Sequence, residues 1–270
     1  MAGLHRLGGM SIFTLPDGRR LNYEVFGDAG PPVVLLHGYL DSHTSFFRLF
    51  DALRSGFTVY ALDQRGHGDS DPAPDYGIVG FTADALAFIA GLGIGPVHLA
   101  GHSLGGIVAQ RVAEARPELV RSLGLISTGR DALDNAALLE VRPLLAALTG
   151  EVPETLLREF QESTTFRKLP EEVLEIYLAA TRKVRLPVWQ GALEGLLAGA
   201  APAEPPSDIA TLIMWGKEDG LFDAASQAAL RAHFPAARFI AYDSTGHAPN
   251  WERPAEVAAA LQEFWAGLAP

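Results

Sequence analysis

The sequence predicts an α/β fold, a mostly parallel sheet flanked by helices and carrying an inserted helical cap. Three observations lead there: short unbroken apolar runs, amphipathic stretches between them, and one long segment that holds no strand-like run. The chain opens with two alternating runs, Ser11 to Leu15 and Leu21 to Phe26, separated by Pro16-Asp17-Gly18. Asp-Gly between alternating runs is a hairpin signal. The nine residues before Met10 are expected to be a tail without a role in the fold. From Val33 the pattern changes. Val33 to Leu36, Thr58 to Leu62, Val97 to Ala100, Leu123 to Ile126 and Leu212 to Trp215 are apolar without alternation. Such runs read as parallel strands buried on both faces. Phe46 to Leu53, Thr82 to Leu92 and Gly106 to Ala115 lie between them as amphipathic segments, giving strand and helix in alternation.

The rhythm breaks from about Arg130 to Pro206, where Leu, Ala and Glu dominate and Glu154 to Gln161 and Glu171 to Lys183 have helical spacing. That is far longer than a crossover needs, so it reads as a helical insertion over one edge of the sheet. The division expected is core 1–129, cap 130–206 with a Pro-rich return linker at 200–206, and core 207–270. After it the strand at 212, a helix at Ala224 to His233, a strand at Arg238 to Tyr242 and a helix at Ala255 to Trp265 resume the alternation.

Composition bounds the function. Hydrophobic residues make up 48% and charged residues 20% of the 270, ordinary values for a globular enzyme. Lys and Arg total 21 against 32 Asp and Glu, a formal charge of -11. Such a surface repels phosphate backbones and anionic lipid, so neither nucleic acid nor membrane is an expected partner, and neutral small molecules are favoured. With no cysteine, thiolate nucleophiles, disulfides and Cys-ligated metals are excluded. No signal-peptide run or membrane-length apolar stretch is present, so the expected location is cytoplasmic. A monomer or homodimer is expected.

Gly101-His102-Ser103-Leu104-Gly105 follows one apolar run and opens a helix. A serine on so tight a strand-to-helix turn has strained backbone angles and needs small residues two positions to either side. Its hydroxyl projects above the sheet edge, where the Leu104 N–H also points. Serine needs a base to be nucleophilic near neutral pH, and histidine is the side chain suited to it. His247, in the loop between the last strand and last helix, sits at the same sheet edge. His37, His67 and His102 adjoin glycines and read as turn or packing residues. The base needs a carboxylate to fix its tautomer. Asp219, just after the penultimate strand, is the candidate, with Asp131 in reserve; Asp223 reads as a helix N-cap and Glu218 as a solvated charge. The Tyr39 N–H, after His37-Gly38, is placed to join that of Leu104 as an oxyanion hole.

The order of His37-Gly38, Asp63-Gln64-Arg65-Gly66-His67-Gly68-Asp69-Ser70, Gly101 to Gly106, Asp219 and Gly246-His247 resembles the α/β-hydrolase superfamily over nearly the whole chain. It is most similar to small bacterial hydrolases with a helical cap. The resemblance implies an eight-stranded sheet, a cap at roughly 130 to 205 and the Ser, Asp, His order seen here. It also implies that Asp63 to Ser70 is a structural turn beneath the site. Haloalkane dehalogenases and epoxide hydrolases of the superfamily carry aspartate where Ser103 stands, and dienelactone hydrolases carry cysteine, so those activities are not expected.

The activity expected is hydrolysis of a small or medium neutral ester or lactone by Ser103, His247 and Asp219, with no metal or organic cofactor. A lactonase or carbon-carbon bond hydrolase would share the triad, and a ligand receptor on the same fold is the alternative from another class. Phe160, Phe166, Tyr177 and Trp189 in the insertion, with Phe222 and Trp251 near the acid and base loops, are candidates for an apolar pocket. Arg167, Lys168, Arg182, Lys183 and Arg185 read as a solvated helix surface.

Overall fold

The computed structural model describes residues 9–27, 29–200 and 209–268. Its centre is an eight-stranded sheet in the order β1-β2-β4-β3-β5-β6-β7-β8. The strands are β1 (Gly9–Thr14), β2 (Arg20–Phe26), β3 (Pro32–Leu36), β4 (Thr58–Leu62), β5 (Val97–His102), β6 (Val120–Ile126), β7 (Ala210–Gly216) and β8 (Arg238–Tyr242). β1 and β2 form the antiparallel hairpin that Pro16-Asp17-Gly18 announces, and β2 pairs antiparallel with β4; every other pairing is parallel. The first strand starts at Gly9, so the expected tail is shorter than nine residues by at least one. Gly9 is drawn in by its pairing with Val25.

Alternate residues of the central strands feed two cores. Val33 and Leu35 of β3 pack with α1 (Phe47–Leu53) and α10 (Pro254–Ala266) through Leu49, Leu53, Val257, Leu261 and Trp265. Val34 and Leu36 face the other way, toward α2 (Ile78–Leu92) and α3 (Leu104–Ala115), among Phe81, Phe88, Ile107 and Val112. These four side chains have 0% exposure, which is why the run Val33 to Leu36 has no polar alternation. Removing each from water contributes roughly 1.5–3 kcal/mol.

Between β6 and β7 lie α4 (Ala136–Ala147), α5 (Glu154–Ser163), α6 (Glu171–Thr181) and α7 (Leu186–Ala198). Residues 201–206 of the Pro-rich linker fall outside the described residues. The helices are tied to the core by particular contacts. Tyr177 of α6 stacks on Trp251 of α9 (Pro249–Glu252), with ring centroids 3.7 Å apart and planes at 8°. The Tyr39 hydroxyl donates to Trp189 O of α7 at 2.5 Å, and Ala248 N donates to Thr164 O at 3.1 Å. The remaining helix, α8 (Ala224–His233), starts on Asp223, whose carboxylate accepts from Ser226 N at 2.9 Å, the N-cap read from sequence.

β3 leads to β4 on one side and its other neighbour is β5, so the strand order reverses between β3 and β5. In open α/β sheets such a switch point leaves a crevice beyond the carboxyl ends of the two strands. Gly38 and Tyr39 follow β3, and Ser103 follows β5.

Candidate active site

Ser103 sits between β5 and α3 with φ 53° and ψ −119°. A positive φ is costly for a residue with a side chain, and the surroundings must hold it there. They do so by close approach. A Cβ on Gly101 would lie 2.2 Å from Gly105 O, and one on Gly105 would lie 2.2 Å from Leu36 O. These are the two small residues the turn was expected to need. The backbone of Ser103 is pinned as well: its N–H donates to Ile126 O at 3.0 Å, and its carbonyl accepts from the Thr128 hydroxyl at 2.7 Å.

The loops after β7 and β8 are laced together, and this sets the next pair. Lys217 N donates to Tyr242 O at 3.0 Å and Glu218 N to Thr245 O at 2.9 Å. Asp219 therefore meets His247, whose Nδ1 lies 3.0 Å from each carboxylate oxygen. Asp219 Oδ1 also accepts from Leu221 N at 2.8 Å and Phe222 N at 3.0 Å, so the carboxylate is oriented by its own turn. With only acceptors opposite it, Nδ1 carries the ring proton and Nε2 is left with a free lone pair. Both residues are buried, at 5% exposure. Asp131, the reserve acid, is turned to Leu133 N at 3.3 Å, and Glu218 is exposed.

Ser103 and His247 line one cavity of about 500 Å³, part of it open to solvent. No Ser103–His247 hydrogen bond forms among the described residues; such pairs tighten when substrate is bound. Gly38 and Tyr39 border the same space. Among the described residues, neither the Tyr39 nor the Leu104 backbone N–H is taken by a turn or cap partner. Both N–H groups lie just beyond the ends of β3 and β5.

The apolar wall differs in part from the expectation. Phe160, Phe222 and Trp251 line the cavity, together with Leu138 and Leu196. Phe166 does not: it is 54% exposed on the segment after α5. Trp189 is buried one layer behind the wall, packed edge-on against Tyr39 and Phe160 at 6.3 and 5.5 Å. Tyr177 likewise stands behind Trp251. Arg167, Lys168, Arg182, Lys183 and Arg185 are all exposed, and Arg182 is engaged by Glu154 and Glu175.

Three polar residues of the site have no motif to announce them. Asp41 and Gln161 line the cavity and are joined at 3.3 Å. Burial pushes the Asp41 carboxyl up to about 7 against weak opposition from Gln161 and Ser45. Glu252 holds the base loop, accepting from Gly246 N at 2.7 Å and from Arg167 N of the inserted segment at 2.9 Å. His102, read as a packing residue, is also a backbone tether: its Nε2 lies 2.9 Å from His247 O. The segment Asp63 to Ser70 does not line the cavity; it bonds to neighbouring elements, with Gln64 N on His37 Nε2 at 3.0 Å and Arg65 on Asp84 at 2.8 Å.

The described residues contain no group of His, Cys, Asp and Glu suited to a metal ion, and no helix among them is long and apolar enough to cross a membrane. Residues 33–260 match the model of the alpha/beta hydrolase family. Among curated relatives, the chain is 27% identical over 255 residues to a pimeloyl-acyl-carrier-protein methyl ester esterase of Aeromonas hydrophila, covering 90% of this chain and 98% of that one. It is 26% identical over 264 residues to an sn-1-specific diacylglycerol lipase of Mus musculus, covering 91% and 85%. Among solved structures, an esterase from Exiguobacterium antarcticum superposes with a TM-score of 0.86 at 21% identity, covering 94% and 98%.

Proposed function

The chain belongs to the alpha/beta hydrolase family, and from that premise we propose that it is a serine hydrolase cleaving carboxylic esters through an acyl-enzyme. The observation that supports this most is the pairing of His247 Nδ1 with both oxygens of Asp219 beside a serine held at positive φ in the same cavity. That pairing leaves Nε2 as the base. Ser103 Oγ attacks the ester carbonyl while Nε2 takes its proton. The oxyanion receives the N–H groups of Tyr39 and Leu104, each worth roughly 3 kcal/mol on the transition state. Asp219 stabilises the imidazolium, which then protonates the departing alcohol. A water, deprotonated by His247, attacks the acyl-enzyme and releases the acid, returning Ser103 to its hydroxyl. Ester and water become acid and alcohol, a balance that requires no metal or organic cofactor.

The substrate class proposed is a small to medium neutral ester. The apolar wall of Phe160, Phe222, Trp251, Leu138 and Leu196 suits an uncharged chain, and the exposed cations of the inserted helices are turned to solvent. The esterase name of the Aeromonas hydrophila relative and the lipase name of the Mus musculus relative support ester cleavage as the reaction class. The test is hydrolysis of short p-nitrophenyl esters: the wild type turns them over, and Ser103→Ala abolishes turnover with an unchanged circular dichroism spectrum. Full activity in Ser103→Ala contradicts the proposal.

A further inference from the structure

His247 is held from both sides by contacts that the hydrolytic cycle above does not use. Gly246 N donates to Glu252 Oε1 at 2.7 Å, and the second oxygen of the same carboxylate accepts from Arg167 N at 2.9 Å. One side chain therefore joins the residue before the base to the segment that links α5 and α6. On the other side of the base, Ala248 N donates to Thr164 O at 3.1 Å. Both chain neighbours of His247 are thus tied to the insertion, one directly and one through Glu252.

The two backbones are in close contact as well as bonded. A Cβ on Gly246 would lie 2.6 Å from Phe166 N and 2.9 Å from Thr164 O, while one on Gly216 would lie 2.0 Å from Gly246 O. The base loop is packed between the end of β7 and residues 164–166, with no room for a side chain at 246. Glu252 is itself anchored, because the adjacent Trp251 stacks on Tyr177 of α6. The core supplies the other supports: Asp219 on the imidazole Nδ1, and His102 Nε2 on the His247 carbonyl. Asp219 aims the ring, but the reach of Nε2 toward Ser103 also depends on where the backbone of the loop stands. Proton transfer is sensitive to that reach, since a displacement of about 1 Å can cost roughly a hundredfold in rate.

We propose that Glu252 is a positioning residue for the catalytic base, tying the His247 loop to residues 164–167 so that the insertion sets the base as well as bordering the cavity. This rests on the serine-hydrolase reading and extends it from the triad to the inserted helices. Glu252 is not among the residues lining the cavity, whereas Thr164 is. Loss of the Glu252 carboxylate should therefore slow the chemistry without weakening substrate binding.

The test measures kcat and KM for p-nitrophenyl butyrate, and the rate of Ser103 labelling by a fluorophosphonate, in the wild type, Glu252→Ala, Gly246→Ala and the double variant. Glu252→Ala should lose about tenfold or more in kcat and in labelling rate, with KM within about twofold of the wild type. Gly246→Ala leaves the carboxylate in place but forces residues 164–166 off the loop, and should show the same split. The double variant should be no slower than the slower single variant, since both changes break one contact. A merely structural role would lower the melting temperature without moving kcat at temperatures where the variants are folded. Unchanged kcat and labelling in folded Glu252→Ala, a change confined to KM, or losses that multiply in the double variant overturn the inference and leave the ester-hydrolase reading standing. Amide exchange of the wild type needs no variant to fold: the Gly246 and Ala248 N–H groups should be protected, and exchange at the rate of a free loop also overturns it. A wild type that neither turns over the ester nor takes up label overturns both readings.

Discussion

Asp63 and Asp41 are buried acids in the loops that follow neighbouring parallel strands, β4 and β3, and the protein holds them in opposite ways. Asp63 receives four hydrogen bonds, from His43 N at 2.7 Å, His43 Nδ1 at 2.8 Å, Asn22 Nδ2 at 2.8 Å and Asp69 N at 3.0 Å. Burial by itself would raise its pKa, but the His43 hydrogen bond and charge overcome that and bring it down to about 2. Asp41 has two long bonds and no facing cation of that kind, and burial carries it up to about 7. Burial is common to both, so the number and quality of donors separates them. An acid surrounded by donors closes a turn. An acid left short of them faces the substrate cavity.

The scaffold around Asp63 and the site around Asp41 should therefore fail in different measurements. The largest effect belongs to the site: His247→Ala should lower kcat for a p-nitrophenyl ester by about 10⁴-fold or more, with little change in melting temperature. A small loss of kcat would place the base elsewhere. Next comes the scaffold acid. Asp63→Asn removes the nearer of the carboxylates on His43, leaving Glu24 at 3.4 Å from Nε2, and should cost on the order of 3 kcal/mol in urea unfolding at pH 6. An unchanged midpoint would remove Asp63 from the structural side of the comparison.

Asp41→Asn should act in the opposite sense. Its pKa is raised above the unfolded value near 3.8, so the folded state disfavours ionisation. That cost grows as pH rises from about 4 and levels off above about 7. The substitution removes it, and should raise unfolding stability at pH 8 by up to about 4 kcal/mol, shrinking toward zero near pH 4. A loss of stability at pH 8 would contradict the account of Asp41. For the Asp63 and His43 pair the signs reverse. The depressed Asp63 contributes fully above about pH 4 and loses this as pH falls toward 2. His43 loses solvation on burial, but the Asp63 hydrogen bond and charge outweigh it, and its pKa is raised from 6.5. Its contribution is complete below about pH 6.5 and is lost as pH rises through the higher folded value. The smallest effect is expected at the surface: Lys183 bonds Asp69 at 2.7 Å with both side chains half-exposed. Lys183→Ala should change stability by about 0.5 kcal/mol or less in the same unfolding assay.

The frame of the molecule was legible where one physical requirement governs a whole run. β4 and β8 span the residues expected, Thr58–Leu62 and Arg238–Tyr242, and so does α8 at Ala224–His233. Burial repeats along β4 and α8, whereas β8 is fully buried only at Tyr242. α4 and α7 were not resolved within the helical stretch because they lack a clean polar face. α7 buries Leu186, Val188, Trp189, Ala192, Leu193, Gly195 and Leu196, and α4 contains Pro143.

The site divides along the same line. Ser103, Asp219 and His247 could be singled out as candidates because a tight turn and positions at strand ends constrain them locally. Asp41, Gln161 and Glu252 are single polar residues whose partners lie far along the chain, Asp41 with Gln161 and Glu252 with Arg167. No spacing announces such pairs. Phe166 and Trp189 show the same limit for apolar residues: aromatic character draws attention to them, but only the packing of the inserted helices decides which aromatic rings reach the cavity.

The central claim is that His247 and Asp219 activate Ser103, and covalent labelling reads this most directly. After incubation with a fluorophosphonate, intact-mass and peptide analysis of the wild type should show one adduct, on Ser103. Ser103→Ala should show none, and His247→Ala should react far more slowly. A folded wild type that takes up no label, or carries it on another residue, would contradict the account.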